Sequence, residues 1–239
     1  MKKIALIPAR YASTRFPAKL LQLLGDKSVI ATTYLAAKNS ELFDEIIVAT
    51  DSEMIAEEIK RYNGSVVMSK HLHESGTDRI AEAVENIEAD VIVNVQGDTP
   101  FVKKEPLQKL IKVFTDDSVQ VASLMEIIQD KNALADPNVV KVCVDKKMNS
   151  LLFSRSIIPF ARDIETQVTY YKHIGVYAFR KQALLQFTKW PPSLLEEAEK
   201  LEQLRFLENG IPLKMVITEP MGVEINTPED LQKALLSIS

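Results

Sequence analysis

Cysteine, histidine and long apolar runs are scarce in this chain, and each scarcity closes off a class of protein. Among 239 residues there are one cysteine and three histidines. Cys143 has no partner for an internal disulfide, and its place in the apolar run "VVKVCV" reads as a strand residue facing a core rather than a reactive thiol. His71 and His73 alternate in "HLHESGTDR", but without nearby cysteine they make a poor structural zinc site. No apolar run approaches the ~18 residues of a membrane span, so membrane insertion is not expected. "MKKIALIPAR" has the basic start and apolar stretch of a secretory leader, yet Arg10 interrupts it before any cleavage signal, which points to the cytoplasm. A formal net charge of -4 gives no bulk attraction for nucleic acid or an acidic membrane surface. Neither GxxxxGK[ST] nor GxGxxG occurs, which removes the P-loop and the dinucleotide fingerprint.

What is present is a globular pattern. With 46% hydrophobic residues the chain can build a substantial core, and its length suits one domain, 1–239, with an irregular insertion near 145–175. "KIALIP" (3–8), "EIIVAT" (45–50) and "DVIVNVQ" (90–96) are continuous Val/Ile-rich runs, as expected of strands buried on both faces, and "GSVVMS" (64–69) is a shorter one. Helical patterns at 28–38, 52–62 and 78–87 separate them, the second capped by Asp51 or Ser52 with Ile55, Ile59 and Tyr62 on one face. This alternation predicts an α/β fold, a mainly parallel sheet with helices on both faces. Further on, strands are expected at 120–128, 138–144, 171–179 and 213–217. A long helix is expected at 194–208, with Leu194, Ala198, Leu201 and Leu204 as its buried stripe, and a last helix from Pro228.

Ligands of open parallel sheets bind outside the carboxyl ends of the strands. There the first strand runs into "PARYASTR", the second into "ATDSE" and the third into "NVQGDTP". Arg10, Arg15 and Lys19 then share an edge with Asp98. Three cations on one loop suit a polyphosphate, and a strand-end carboxylate suits Mg²⁺ bridging phosphate oxygens, which together suggest phosphoryl or nucleotidyl transfer. Spacing alone leaves open that the arginines are solvated loop residues, Asp98 a turn residue before Pro100 and Asp51 only a cap. Ser75-Gly76-Thr77 opens a helix whose free amides could receive part of a nucleotide or could simply be capped. In "NTPEDL", Thr227 and Pro228 read as a cap and first helical position, which leaves Glu224 and Asn226 unexplained.

"IPARYASTRFPAK", "ESGTDRIAEA", "VNVQGDTP", "FSRSIIPF", "YKHIGVYAFR", "EKLEQLRFLENG" and "NTPEDL" occur in the order found in 3-deoxy-manno-octulosonate (Kdo) cytidylyltransferases, the CMP-Kdo synthetases. The chain resembles that family over nearly its full length. The resemblance implies an α/β nucleotidyltransferase of the nucleotide-diphospho-sugar transferase, Rossmann-like type, usually a homodimer. It also implies transfer of CMP from CTP to Kdo, or to its 8-amino analogue, with pyrophosphate released, for bacterial lipopolysaccharide. Residues matching Arg10, Arg15 and Lys19 face the nucleotide phosphates, and the one matching Asp98 holds Mg²⁺. Ser75, Arg79 and Gln96 match nucleotide-pocket positions. Arg155, His173, Tyr177, Glu202 and Gln203 match the sugar-acid side, where the 145–175 insertion and the dimer contact also lie.

Four departures accompany the resemblance. Ala18 and Leu20 replace a usual Gly and Pro, so a positive φ at position 18 would be strained by ~1 kcal/mol or more. Thr99 replaces an acid, and Asn226 stands where the family has its second metal-binding aspartate, with Glu224 as a candidate replacement. The alternatives are a cytidylyltransferase for another acidic sugar such as a sialic acid, or a catalytically weak CTP-binding regulatory relative.

Overall fold

The structure is a computed structural model that describes residues 1–12, 16–71, 73, 75–163, 165–220 and 222–238. The chain groups into two compact units, one of residues 1–111 and 221–239, the other of residues 112–220.

The first unit opens with β1 (Lys3–Ala9), a short antiparallel hairpin of β2 (Leu23–Leu24) and β3 (Lys27–Ser28), and α1 (Val29–Asn39). It continues through β4 (Glu45–Thr50), α2 (Glu53–Lys60), β5 (Ser65–Met68), α3 (Gly76–Val84), β6 (Val91–Asn94) and α4 (Lys104–Lys112). Its strands lie in the order β6-β1-β4-β5 and all pair in parallel. The two central strands and β6 are almost wholly buried, which is why they read as unbroken apolar runs. Ser28, Ser52 and Ser75 each cap the next helix by accepting a backbone N–H, so Ser52, not Asp51, caps α2.

The second unit carries β7 (Val121–Ile127), α5 (Lys131–Ala135), β8 (Lys141–Val144), β9 (Ser150–Ser154), β10 (Tyr171–Arg180), α6 (Lys181–Phe187), α7 (Leu194–Glu199), α8 (Gln203–Glu208) and β11 (Lys214–Ile217). Here β7 pairs antiparallel with β10 and parallel with β11, while β8 joins β10 to β9, both antiparallel. The sheet of the first unit is thus parallel and that of the second mixed, each with helices, as the α/β reading expects. Strand β9 forms inside the 145–175 stretch expected to be irregular. The long helix expected over 194–208 is two short ones. Lys200 ends α7 in the left-handed region at φ 55°, and Leu194 and Ala198 of the expected stripe are exposed while Leu201 and Leu204 are buried. The last helix, α9 (Pro228–Ile238), belongs to the first unit and begins at the expected proline.

Candidate functional site

The site of the first unit starts from the turn after β6. Thr99 closes it twice on the Gln96 carbonyl, through its N–H at 3.1 Å and its hydroxyl at 2.6 Å. The Thr33 hydroxyl, which also reaches the Val29 carbonyl, lies 2.9 Å from the Gly97 carbonyl. Ile225 donates its N–H to the Asp98 carbonyl at 3.0 Å. At Gly97 a Cβ would lie 3.0 Å from the Pro8 carbonyl oxygen, so a side chain there would press on backbone that has to give by a few tenths of an ångström. This packing holds Gln96 and Asp98 in place. It also accounts for Thr99: its buried side chain is consumed in closing the turn, a task that a carboxylate could not perform as a donor.

The basic loop reaches the same place by a strained route. Ala18 has φ 50° and ψ 31°, the left-handed conformation that the usual glycine adopts freely. The expected strain at Ala18 is therefore present, and Lys19 comes directly after it in a 3₁₀ turn, where Leu20 is buried. The Lys19 ammonium lies 2.5 Å from Asp98 Oδ2 and 3.5 Å from Asn226 Oδ1. Asn226 is held from behind, its N–H and that of Thr227 both donating to Asp230, while the Asp230 N–H donates to the Thr227 hydroxyl.

These groups line a cavity of about 270 Å³. Arg10, Lys19, Ser75, Arg79, Gln96, Asp98 and Asn226 all contribute to its wall, so every described member of the expected nucleotide and metal set within this unit is brought together. Arg15 lies outside the described residues. Arg10 is exposed and has no hydrogen bond or ion pair among the described residues. Arg79 is 4% exposed and spans from the Ser69 hydroxyl to Asp51, both at 2.7 Å. Asp51 is thus the counter-ion of a buried arginine. His73, unpromising as a zinc ligand, is a lining residue that the sequence did not assign. Its Nε2 lies 2.5 Å from Glu82 Oε2. Burial works to raise the Glu82 pKa, but the His73 bond and the Lys70 N–H outweigh it and leave it lowered. Among the described residues no group of three or more His, Cys, Asp or Glu side chains is placed to hold a metal. Glu224 is exposed and is not part of the cavity wall.

In the second unit three of the five expected sugar-acid residues, His173, Tyr177 and Gln203, form a buried polar relay. A bulge in β10 between Ile174 and Tyr177 turns the Ile174 and Val176 carbonyls toward the Ser123 hydroxyl, at 3.1 and 2.9 Å. Ser123 spends its single proton on a carbonyl, so His173 Nε2–H donates to Ser123 Oγ at 2.9 Å. The His173 Nδ1 then accepts from the Gln203 amide at 3.4 Å, and Gln203 Oε1 accepts from the Tyr177 hydroxyl at 3.2 Å. Burial pushes the His173 pKa down to about 3, so its ring is neutral near pH 7 and too weakly basic to act as a general base. The ring also meets Phe153 edge-on at 5.0 Å between centroids. Glu202 directly precedes α8 and is half-buried. Ser123 is the member of this relay that the sequence did not reveal.

Arg155 is held by backbone. Its Nε donates to the Glu199 carbonyl at 2.8 Å and its Nη1 to the Pro137 carbonyl at 2.9 Å, while the Glu199 carboxylate accepts from the Arg155 N–H and the Ser154 hydroxyl. Nη2 makes no hydrogen bond among the described residues, which leaves an edge of the guanidinium for a ligand.

A family model described as cytidylyltransferase matches residues 4–218. A 3-deoxy-manno-octulosonate cytidylyltransferase of Flavobacterium johnsoniae is 53% identical over 237 residues, covering 98% of this chain and 97% of its own. One of Christiangramia forsetii with the same name is 52% identical over 234 residues, covering 97% and 94%. A solved CMP:2-keto-3-deoxy-manno-octonic acid synthetase complexed with CTP superimposes with a TM-score of 0.95 at 35% identity, covering 100% of this chain and 98% of that one.

Proposed function

This chain belongs to the cytidylyltransferase family, among its 3-deoxy-manno-octulosonate cytidylyltransferases, and from that membership we propose which of its residues carry the reaction. The enzyme transfers CMP from CTP to Kdo and releases pyrophosphate. Another acidic sugar, or a regulatory role without turnover, is not favoured by these relatives.

The observation that carries the residue assignment is the cavity of the first unit, which places cations, a carboxylate and a helix N-terminus around one space. Arg10 and Lys19 bind the triphosphate and draw charge onto the leaving pyrophosphate. Ser75 and the start of α3, together with Gln96, orient the nucleotide, while Asp51 keeps Arg79 pointed at the cavity wall. In the second unit Arg155 receives the sugar carboxylate, and Tyr177, His173, Gln203 and Glu202 direct the hydroxyls. The anomeric hydroxyl oxygen attacks the α-phosphorus, the new P–O bond forms as the bond to pyrophosphate breaks, and the hydroxyl proton leaves to solvent. His173 takes no proton in this scheme, because its pKa lies far too low.

A divalent ion fits the residues present. Two hard oxygens, Asp98 Oδ2 and Asn226 Oδ1, already converge on a single cation, the Lys19 ammonium. Asp98 and Asn226 would hold Mg²⁺, which would neutralise charge on the phosphate oxygens. With an amide in place of the second aspartate, the site carries one formal negative charge.

We also read the enzyme as a cytoplasmic homodimer. Leu151, Ile157 and Phe160, the last 84% exposed, present apolar surface within one stretch of the second unit, as a self-association face does. Light scattering on the purified chain tests this, and a mass near 27 kDa would refute it. The reaction itself is tested by pyrophosphate release from CTP, with and without Mg²⁺, offering Kdo, its 8-amino analogue, a sialic acid or no sugar. Turnover with a Kdo-type sugar only in the presence of the metal is expected. Equal turnover with chelator present would remove the metal from the scheme.

A further inference from the structure

Lys141 is wholly buried, 0% exposed, and no step described so far uses it. Its ammonium has three protons and three acceptors: the Asp136 carbonyl at 3.0 Å, the Val139 carbonyl at 2.7 Å and the Arg155 carbonyl at 2.6 Å. A buried charge is tolerated only when its hydrogen-bonding capacity is met in this way, and a leucine here would take this donor from all three carbonyls, leaving that of Asp136 only the Val139 N–H at 3.1 Å. The cage ties together two stretches distant in sequence. One is the turn of residues 136–139 between α5 and β8; the other is the end of β9, brought alongside by the Lys141↔Ser154 register. The same two stretches meet again at the Arg155 side chain, since Nη1 donates to Pro137 inside that turn. The cage therefore fixes both the backbone from which Arg155 springs and the carbonyl that aims its guanidinium.

We propose that Lys141 is a positioning residue for the sugar acid, its ammonium acting as a tethered cation in a three-carbonyl cage that sets Arg155 to receive the carboxylate. This rests on the assignment of Arg155 to the sugar. The groups facing the ammonium are Asp136 and Glu199, which favour its charge, and Arg155, which opposes it; burial is the larger influence and lowers its pKa.

The test measures KM for Kdo and for CTP in Lys141→Ala, beside Arg155→Ala and the parent enzyme. Kdo KM should rise about tenfold in Lys141→Ala, with CTP KM held within about twofold. Added methylammonium, but not sodium, should restore much of the loss by refilling the cage. A purely structural lysine would lower the melting temperature and the active fraction without splitting the two KM values, and that result overturns the proposal. A rise in Kdo KM that methylammonium does not reverse assigns the effect to lost packing and overturns it too. If Lys141→Ala does not fold, Lys141→Gln keeps two donors without the charge, and the KM split alone decides. Arg155→Ala separates the two layers. If it raises Kdo KM and the Lys141 variants do not, only the present inference falls; if it leaves Kdo KM unchanged, the Arg155 assignment falls and takes this one with it.

Discussion

In the first unit the functional groups are full charges in a half-open cavity, with Lys19 against Asp98 and Arg79 against Asp51. In the second they are mostly neutral, buried and already bonded, in a relay from Tyr177 to Ser123 and a guanidinium held by carbonyls. The difference matches the ligands. A triphosphate brings several negative charges and is met by cations: Arg10, exposed, and Lys19, whose carboxylate partner can be exchanged for phosphate oxygens. A sugar acid brings one charge and many hydroxyls, and its recognition depends on donors and acceptors fixed in direction beforehand. Affinity for the nucleotide should thus be governed by charge and salt, and discrimination among sugars by geometry.

Four experiments put that contrast at risk. Asp98→Asn removes charge from the first site without changing shape; turnover should fall by about 10³ while melting stays cooperative. Near-normal activity would take Asp98 out of the chemistry. For the second site, the neutral buried state of His173 has a thermodynamic signature. Its folded pKa of about 3 lies below the ordinary value of 6.5, so its contribution to stability is present above pH ~6.5 and is lost as pH falls toward 3. Between pH 7 and pH 5 the loss should be about 2 kcal/mol, and His173→Gln should flatten that part of the denaturation profile. Identical slopes in the two proteins would mean the ring is not held neutral. Asn226→Asp restores a second carboxylate and should lower the Mg²⁺ needed for half-maximal rate about tenfold. An unchanged requirement would show that position 226 does not touch the metal. Ala18→Gly should have the smallest effect, a gain of ~1 kcal/mol in stability from relief of the left-handed strain, with turnover little altered. Loss of stability would show that the loop depends on the alanine methyl.

The same contrast explains what could be read from the chain before its fold. The first unit declares itself locally: continuous Val/Ile runs for parallel strands, serine caps at helix starts, and ligand residues within a few positions of a strand end. Even the conformation of Ala18 can be inferred from its standing in a glycine position. The second unit is built from register. Lys141 meets Arg155 only because β8 lies against β9, and Ser123 meets His173 only because β10 bulges against β7. No local pattern marks either. The helix expected over 194–208 failed for a related reason. Its Leu, Glu and Lys residues all favour helix, and Lys200 turns left-handed without a glycine or proline to announce it. Thr99 reads as a lost acid in the sequence because its hydroxyl bond to Gln96 is visible only once the turn is closed.

The contact between Lys19 and Asp98 has a consequence for the idle enzyme. The cation nearest to Asp98 is covalently leashed, and a short leash gives it an effective concentration on the order of millimolar. Any divalent ion arriving alone must compete with a rival that cannot diffuse away. A triphosphate changes the terms by giving Lys19 other oxygens to hold, which releases the carboxylate at the moment that a second cation is useful. Nucleotide and metal are then expected to load as one event, so a cell poor in CTP would keep this protein empty of both.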